Sequence, residues 1–332
     1  MLLSLGISRK ILNIIKRLYE NTKCAVTVDG KLTEWFCVLI GLRQGCLLSP
    51  TLFNIFLEFV LKEIKCIPHR FSMTDKELAQ IIKYADDTTL LALGFEKLQE
   101  MSSQLQSACS KWGMKINTTK CKVLTPAEEH ISIEGEDIEN VNDFIFLGSS
   151  VPNVKNDVDR RIVLASTSFG RLRKTIWNNR KISLKLKMRL FHALILPIAT
   201  YASETWVLTV KEENKLNVFE MRCLRSILGV SRRDRISNVN IRKSLNAENT
   251  ITDLIRTRRL KWFGHVCRKP STSLVYQSYK QDFLQPRPRG RPPKRWTDHI
   301  RKDTKLPILT AERNAKDRAK WAESCRRGAR GH

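Results

Sequence analysis

In the stretch Ile81-Ile82-Lys83-Tyr84-Ala85-Asp86-Asp87-Thr88-Thr89-Leu90-Leu91-Ala92-Leu93, two apolar runs flank a polar centre. This pattern predicts a β-hairpin with two carboxylates near its tip. Adjacent carboxylates on a stiff turn repel each other unless a divalent cation lies between them, which favours a metal site at Asp86 and Asp87. A solvated Asp-Asp turn is the alternative that the string alone leaves open.

The residues upstream of this stretch predict a helix, a second hairpin and another helix. The apolar spacing over residues 11–18 predicts an amphipathic helix, with Ser8 placed to cap it. Two β-favouring runs lie on either side of Asp29-Gly30, a dipeptide that is typical of tight hairpin turns. Ser49-Pro50 then predicts the N-cap and the first residue of a largely buried helix.

The pattern changes near residue 150. Up to that point helices alternate with strand-like runs, the last of them at residues 144–147, which predicts the α+β class. Beyond it, apolar spacing predicts helices around residues 186–194, 216–227 and 251–266. The last of these carries four basic residues that we expect on its exposed side: Arg256, Arg258, Arg259 and Lys261.

The net charge of +26 belongs to the C-terminal half of the chain. Residues 1–150 hold 17 Lys and Arg against 18 Asp and Glu, and residues 151–332 hold 42 against 15. Such a basic region releases counterions from a phosphate backbone, so nucleic acid is the expected, salt-sensitive and nonspecific partner. Binding to acidic membranes, or a surface that is basic only for solubility, are the alternatives.

Residues 269–332 are predicted to form a basic, partly disordered tail. Prolines and arginines crowd together over residues 285–296, a composition with little to bury that favours an extended chain. Within it, Arg289-Gly290-Arg291-Pro292 has the core of an AT-hook, in which Arg-Gly-Arg lies along the minor groove of A·T-rich DNA. A nonspecific phosphate-binding tail is the alternative.

The cysteines and tryptophans favour packing over chemistry. The 9 cysteines contain no C-x-x-C pair and are predicted to be free thiols in a reducing compartment. His265 and Cys267 are too few for a tetrahedral zinc site, so we expect Cys267 to pack in the core. Trp206 and Trp262 are also expected in the core, whereas Trp296 is open to either role.

The apolar start of the chain is interrupted at residues 8–10, and no run reaches the roughly 18 apolar residues of a membrane span. We therefore expect no signal peptide, no membrane partner and an intracellular protein, nuclear or cytoplasmic.

Four ordered motifs together resemble the reverse transcriptases of non-LTR (LINE-type) retrotransposons. They are Gly41-Leu42-Arg43-Gln44-Gly45-Cys46-Leu47-Leu48-Ser49-Pro50-Thr51-Leu52-Phe53-Asn54, Tyr84-Ala85-Asp86-Asp87, Gly113-Met114-Lys115-Ile116-Asn117 through Lys120, and Phe146-Leu147-Gly148. The resemblance implies a partial polymerase fingers and palm with antiparallel strands over 1–150 and a helical thumb-like region over 151–268. The basic tail over 269–332 follows.

The chemistry that the resemblance implies is phosphoryl transfer with two Mg²⁺ ions, in which Asp86 is the principal ligand and Asp87 assists. The implied substrates are an RNA template, a DNA primer and deoxynucleoside triphosphates. Lys120 is implied to stabilise or protonate pyrophosphate, although a solvated lysine is the alternative. The residues implied beside the nucleotide and the template are Arg43, Gln44, Gly45 and Tyr84.

The sequence departs from the family pattern in its first catalytic motif. The family's first aspartate should precede the opening helix, and the sequence does not contain it, which predicts an N-terminally truncated polymerase. Asp29 lies in a hairpin loop and Asp75 in a polar connection, so neither is a substitute. We expect weak Mg²⁺ binding and little or no activity from this chain alone. A noncatalytic nucleic-acid-binding remnant is the second hypothesis.

Overall fold

The computed structural model describes residues 1–38, 40–43, 45–64, 79–125, 129–284, 289–290 and 292–329. The chain divides into two units, Met1–Val141 and Asn142–His332, each with its own apolar clusters. Helices and antiparallel strands alternate in the first unit, and helices dominate the second. This arrangement confirms the predicted mixture of helices and antiparallel strands.

Helix α1, Arg9–Tyr19, begins where the apolar spacing predicts it. The Ser8 hydroxyl accepts a hydrogen bond from the Ile11 amide at 3.5 Å, so the predicted cap is confirmed. The apolar stripe stays about half exposed, with values of 51% for Ile11 and 52% for Ile14. In the described residues, this face of the helix is therefore largely uncovered.

Four short antiparallel strands form the predicted hairpin around Asp29-Gly30. Strand β1 (Lys23–Cys24) pairs with β4 (Phe36–Cys37), and β2 (Thr27–Val28) pairs with β3 (Lys31–Leu32). The two turn residues have φ angles of +49° and +79°, the left-handed values that a two-residue hairpin turn requires. Aspartate and glycine tolerate these angles better than other residues, which is why the dipeptide predicts the turn correctly.

Helix α2, Ser49–Leu61, packs against α3, Phe95–Lys111. The ring of Trp112 meets Phe56 edge-on, with ring centres 6.0 Å apart. The Trp112 indole Nε1 donates a hydrogen bond to Glu63 at 2.7 Å. The ring contact and the hydrogen bond of Trp112 therefore both join the end of α3 to α2.

The start of α2 differs from the sequence prediction by one residue. Leu48 occupies the N-cap position and Ser49 is the first helical residue, so the assignment of Ser49 as the cap is wrong. The Ser49 hydroxyl donates instead to the carbonyl of Arg43 at 2.7 Å, which fixes the preceding loop. Few residues of α2 are fully buried, so the prediction of a largely buried helix holds only in part: Ser49, Leu57 and Val60.

Strands β5 (Ala79–Tyr84) and β6 (Asp87–Ala92) form the second predicted hairpin. Their antiparallel register runs through six pairs from Ala79 opposite Ala92 to Tyr84 opposite Asp87. Helix α3 follows directly and contacts β6. The turn that carries the two carboxylates is thus the end of a regular ladder that lies against a helix.

A small hairpin completes the first unit. Strand β7 (Ser132–Ile133) pairs with β8 (Glu136–Asp137). Beneath it lies a cluster of buried aliphatic side chains that packs against residues of α3 and of the segment that follows α3: Val123, Ile131, Ile133 and Ile138. The cluster ties the segment after α3 to the helix that supports the β5–β6 hairpin.

The second unit begins with a hairpin and continues as helices. Strand β9 (Phe144–Phe146) pairs with β10 (Ser149–Val151). The helices that follow are α4 Val154–Arg171, α5 Leu184–Leu190, α6 Leu196–Ala199, α7 Val210–Leu228, α8 Asn238–Ser244 and α9 Ile251–Cys267. They surround one apolar core, in which Trp177 stacks on Phe169 with ring centres 4.6 Å apart. The helices expected around residues 186–194, 216–227 and 251–266 are present.

The prediction of a partly disordered tail over residues 269–332 missed extensive helical structure on both sides of the Pro/Arg-rich stretch. Residues 274–329 contain four further helices, α10 Leu274–Leu284, α11 Trp296–Thr304, α12 Ile308–Lys316 and α13 Arg318–Ala329. Their apolar side chains pack on Leu260 and Phe263 of α9, so this part of the chain has a core of its own. Residues 285–288 and Arg291, in the stretch predicted to be extended, lie outside the described residues.

Gly264 allows α13 to approach α9 closely. The Trp321 indole Nε1 donates a hydrogen bond to the carbonyl of Leu260 at 2.7 Å. A Cβ atom added to Gly264 would lie 2.4 Å from Cδ1 of Trp321, closer than carbon atoms can pack. Gly264 is therefore required because α9 and α13 lie so close together there, and not because of a turn in the backbone.

Arg259 corrects the prediction of four exposed basic residues on α9. Its side chain is 1% exposed and forms an ion pair with Asp303, since it lies on the face of α9 that packs against α11. Trp206 and Cys267 are buried, which confirms their expected packing roles. The question left open for Trp296 has a structural answer, because its indole Nε1 donates to the carbonyl of Glu204 at 2.8 Å.

Across the described ranges, no helix is long and apolar enough to cross a membrane.

Candidate functional site

The tip of the β5–β6 hairpin brings three predicted site residues together. Tyr84 and Asp87 form the last pair of the ladder, and Ala85 and Asp86 make the turn between them. Ala85 has a φ angle of +54°, the left-handed value that the first position of such a turn adopts. Tyr84 is 67% exposed, and both aspartates are exposed. The structure therefore presents two neighbouring carboxylates to solvent on a stiff turn.

An ion pair and a helix hold this hairpin in place. Lys83, beside the turn on β5, forms an ion pair with Glu58 of α2 through its Nζ and the carboxylate Oε2. Side chains on β6 face α3, whose packing against α2 closes the arrangement. Helix α3 thus supports β6, and the ion pair with α2 supports β5. A turn supported through both strands holds its two carboxylates in place before a ligand binds.

The two carboxylates suit a hard divalent cation in kind, since Mg²⁺ prefers carboxylate oxygens. Among the described residues, neither side chain has a hydrogen-bond or ion-pair partner that would compete for such an ion. Within those residues, no group of three His, Cys, Asp or Glu side chains is placed to hold a metal. Asp29 lies in the first hairpin, and Asp75 falls outside the described residues.

The loop before α2 contains the residues expected beside the nucleotide and the template. The Arg43 guanidinium donates from Nε and Nη2 to the Thr22 hydroxyl at 3.1 and 3.0 Å, and it lies over the ring of Tyr19. The Tyr19 hydroxyl lies 2.9 Å from the Ser49 Oγ. Arg43 therefore helps to fasten the loop to the end of α1. Gln44 lies outside the described residues.

The backbone of this loop has a left-handed residue directly after Gln44. Gly45 has a φ of +83°, which L side chains rarely adopt. The pKa of the adjacent Cys46 thiol lies below its ordinary value, because the backbone of Leu48 and then Ser49 hydrogen-bond to the sulfur. These hydrogen bonds favour the thiolate form of Cys46.

Lys120 lies in a separate part of the first unit. It ends the 3-10 turn Thr118–Lys120, where its amide donates to the Asn117 carbonyl at 3.1 Å and its side chain is exposed. In the described part of the chain, no hydrogen bond or ion pair joins Lys120, the Arg43 loop and the Asp86 turn to one another. The structure therefore groups Tyr84, Asp86 and Asp87 on one turn and shows no direct polar contact from this turn to Lys120 or to the Arg43 loop among the described residues.

A buried polar cluster around Asp157 anchors the Phe146-Leu147-Gly148 turn in the second unit. Asp157, on α4, accepts hydrogen bonds from the Ser149 hydroxyl at 2.8 Å and from the Trp206 indole at 3.0 Å. Its side chain is 1% exposed. Arg161, one helical turn later, donates to the carbonyl of Gly148. Burial lowers the pKa of Arg161, and the nearby carboxylate of Asp157 opposes this shift.

Sequence reasoning missed this cluster. The sequence did contain one signal: Asp157 and Arg161 have opposite charges and lie four positions apart, close after a predicted turn. On a helix, this spacing places an acidic and a basic side chain side by side. The decisive partner, Trp206, lies 49 positions further along the chain, so only the folded structure reveals the contact.

Of the AT-hook residues, Arg289, Gly290 and Pro292 are described and Arg291 is not. Gly290 has a φ of +95°, and it is exposed together with Arg289.

Residues 2–151 match the family model of the reverse transcriptases (RNA-dependent DNA polymerases). The RNA-directed DNA polymerase from mobile element jockey of Drosophila funebris is 25% identical over 241 residues, which cover 67% of this chain and 25% of that protein. Residues 2–151 belong to the non-LTR (LINE-type) reverse transcriptases.

Two further relatives match different shares of the chain. A transposon-derived protein of Caenorhabditis elegans is 26% identical over 268 residues, which cover 74% of this chain and 95% of that protein. The Pol polyprotein from the type-1 retrotransposable element R2 of Nasonia vitripennis is 32% identical over 114 residues, which cover 34% of this chain and 11% of that protein. The chain thus spans about a quarter of the length of the jockey polymerase and nearly all of the nematode protein.

The reverse transcriptase segment ends at the β9–β10 hairpin, whose last residue is Val151. The buried anchor of that hairpin, Asp157, lies beyond the matched residues. The likeness to the nematode protein covers 268 residues, so it is not restricted to the first unit, Met1–Val141.

Proposed function

We propose that the chain is part of a retrotransposon RNA-directed DNA polymerase, with part of its fingers and palm in residues 1–150, and that its Asp86-Asp87 turn contributes two carboxylates to the metal centre. The observation that carries this proposal is the β5–β6 ladder of six pairs, which ends in two exposed carboxylates within a reverse transcriptase segment. Asp86 is the principal ligand and Asp87 the second. Bound Mg²⁺ would supply activation of the primer 3′-hydroxyl and neutralisation of the triphosphate, the chemistry of two-metal phosphoryl transfer.

The chain's own residues position the strands and the nucleotide around that turn. Gly45 allows close approach of the loop backbone to the nucleotide, and Arg43 keeps the loop attached to α1. Tyr84 and Gln44 lie beside the nucleotide and the template, and Lys120 stabilises the leaving pyrophosphate. The helices after residue 151 act as the thumb-like region. The substrates are an RNA template, a DNA primer and deoxynucleoside triphosphates.

We further propose that this chain alone does not polymerise. Two carboxylates leave a bound Mg²⁺ pair with fewer protein oxygens than a three-carboxylate polymerase centre provides, and no third carboxylate joins them in the described residues. The predicted consequence is weak Mg²⁺ binding at the Asp86 turn. Primer extension then requires a further ligand from another segment or chain.

The test is a pair of measurements on the full chain. Mn²⁺ binding, followed by electron paramagnetic resonance, should be weak and should fall further in Asp86→Asn. The matched control is Asp137→Asn, which removes an exposed carboxylate from strand β8 and should leave Mn²⁺ binding unchanged. Primer extension on an RNA template with Mg²⁺ or Mn²⁺ should give no product. Robust extension that Asp86→Asn abolishes would overturn the proposed inactivity, and equal Mn²⁺ binding by all three proteins would overturn the metal site.

The second candidate is a noncatalytic nucleic-acid-binding protein. The charge distribution favours it, because residues 151–332 hold 42 Lys and Arg against 15 Asp and Glu. On this reading the basic second unit and the Arg289-Gly290-Arg291-Pro292 segment bind the phosphate backbone, and the Asp86 turn has no role. Salt-sensitive binding that Asp86→Asn leaves unchanged, without any Mn²⁺ site, would favour this candidate over the first.

A further inference from the structure

A groove in the second unit combines aromatic and basic side chains that are exposed or half-buried. It has a volume of about 790 Å³. One wall is helix α9, and the other is formed by the turn between β9 and β10 and by the segment around Tyr201. The side chains on which the inference depends are Leu147, Tyr201, Arg258, Lys261, Trp262 and His265.

The four α9 side chains in the groove form one stripe. Arg258, Lys261, Trp262 and His265 follow the spacing i, i+3, i+4 and i+7, which places them on one face of the helix. The residues between them belong to the other face, where Leu260 and Phe263 are fully buried. Trp262 also packs partly against that core, whereas Lys261 and His265 are exposed, so folding alone does not explain the presence of these two residues in the stripe.

The stripe provides a flat aromatic surface. The rings of Trp262 and His265 are stacked, with centres 5.2 Å apart and planes at 22°. Tyr201, across the groove, is 46% exposed. Aromatic rings of this kind bind nucleobases by stacking, with little dependence on base identity.

Charged groups flank the aromatic rings. Lys261 is exposed, and the Arg258 guanidinium is fixed by its hydrogen bond to the Thr200 carbonyl at 2.5 Å. In a nucleic-acid strand, the phosphates could bind these two cations while the bases stack on the neighbouring rings. Glu204 also lines the groove, and its carboxylate suits the amino group of a base better than a phosphate.

The wall opposite α9 is held rigid. The Tyr201 hydroxyl donates to the Leu147 carbonyl at 2.9 Å, and the Arg161 guanidinium lies 4.3 Å from the centre of the Tyr201 ring. The turn between β9 and β10 is thereby fixed beside the groove. Little reorganisation is needed before a strand binds.

We propose that this groove, which we name the Trp262 groove, binds single-stranded nucleic acid. A base stacks on the Trp262–His265 pair, and neighbouring phosphates contact Arg258 and Lys261. The inference deepens the proposed function and rests on it for the source of the strand, namely the template or the primer. Binding itself needs no metal ion and no residue of the Asp86 turn.

The test uses the full chain and fluorescence anisotropy of labelled single strands of about 12 nucleotides, in EDTA at low salt. Oligo(dA) and oligo(rA) are compared with a duplex of equal length and with an abasic strand. We expect Lys261→Ala and His265→Ala each to weaken single-strand binding about fivefold or more. The matched controls Lys185→Ala and Lys211→Ala remove exposed lysines of the same unit outside the groove, and they should change binding less than twofold, as a rough bound.

The abasic strand separates stacking from charge, because it keeps the phosphates and lacks the bases. His265→Ala should leave its binding unchanged, whereas Lys261→Ala should weaken it. Trp262→Leu is a further variant that removes a stacking surface. Because Trp262 also packs against the core, this variant is unstable if the packing matters, and the test then depends on Lys261→Ala and His265→Ala.

Groove variants that bind no worse than the lysine controls would overturn the proposal. Equal affinity for the single strand and the duplex would overturn its preference for single strands. A difference between the DNA and RNA arms would identify which strand the groove holds. Because all arms contain EDTA, failure of the metal site at Asp86 leaves these results unaffected, and the reverse also holds.

Discussion

Arg259 Nη1 donates to Asp303 Oδ2 at 2.7 Å, and the two side chains are 1% and 3% exposed. This ion pair connects α9 to α11 and makes the C-terminal helices part of the second unit. Burial lowers the pKa of Arg259, and the attraction of Asp303 opposes that shift. A buried pair of this kind is sensitive to the loss of one partner, because the other charge then lies unpaired in the interior.

We predict that Asp303→Ala lowers the free energy of unfolding by about 3–5 kcal/mol, because Arg259 is left buried without its counter-ion. Urea unfolding followed by circular dichroism measures the change. Glu248→Gln, at an exposed position of the same unit, is the control and should change stability by less than about 0.5 kcal/mol. The double variant Arg259→Met/Asp303→Leu should recover much of the loss. Equal stability of Asp303→Ala and the control would contradict a stabilising role.

Asp157 should be needed to hold the β9–β10 hairpin against α4. Asp157→Ala removes a buried acceptor from the Ser149 hydroxyl and the Trp206 indole, so we expect a loss of about 1–3 kcal/mol per donor left unsatisfied. Faster amide hydrogen exchange should appear at Ser150, whose amide donates to the same carboxylate.

Asp159→Asn is the matched control for this prediction. Asp159 lies two positions after Asp157 on α4, its side chain is 44% exposed, and it forms an ion pair with Lys215 of α7. We expect it to change stability by less than about 1 kcal/mol. The anchoring role would be disproved by an unchanged exchange rate at Ser150 in Asp157→Ala.

The buried His299 should make the stability of the second unit depend on pH. Burial, with Arg259, Lys294 and Lys302 nearby, lowers its pKa from 6.5 to about 4, although Asp298 opposes this. Between these values the unfolded chain binds a proton that the folded chain does not. Stability contributed by His299 is therefore complete above about pH 6.5 and is lost as the pH falls towards 4, by up to about 3 kcal/mol.

Urea unfolding of the wild type and of His299→Gln at a series of pH values measures this effect. The wild type should lose more stability between pH 6.5 and 4 than the variant, because glutamine does not titrate in this range. Parallel stability curves would show that other groups cause the pH dependence.

We predict that the Arg289-Gly290-Arg291-Pro292 segment binds DNA without base preference. Arg289→Ala/Arg291→Ala should weaken binding to A·T-rich and G·C-rich duplexes equally and reduce the slope of affinity against salt by about 2, one for each lost phosphate contact. The charge-matched control is Lys185→Ala/Arg189→Ala on α5, at exposed positions outside this segment. A loss confined to the A·T-rich duplex would support the minor-groove alternative.

Local sequence patterns predicted the elements whose causes are local. Asp29-Gly30 predicted its turn because few other residues tolerate two left-handed positions in succession. The stretch from Ile81 to Leu93 predicted its hairpin and the exposure of Asp86 and Asp87 at the tip. Ser49 was misplaced by one position because its hydroxyl bonds to the Arg43 carbonyl in the loop before the helix, a contact that a capping rule does not contain.

The predictions from sequence were wrong where local composition indicated one structure and contacts between distant residues produced another. Prolines and arginines favoured a partly disordered tail after residue 269, yet Tyr279, Ile300 and Trp321 pack in one apolar cluster with residues of α9. Arg259 was expected on the exposed side because arginines are usually exposed, and the buried position became visible only with Asp303 opposite it.

The sequence by itself determined the family motifs, the two hairpin turns, the helical periodicity and the concentration of positive charge in residues 151–332. These depend on backbone preferences and on spacings of a few residues. The tertiary structure decided which face of α9 is buried, how Asp157 anchors the turn after Phe146, and that Trp262 and His265 share a groove with Tyr201. Those contacts join residues that are far apart in the chain, so they exist only once folding has brought the helices together.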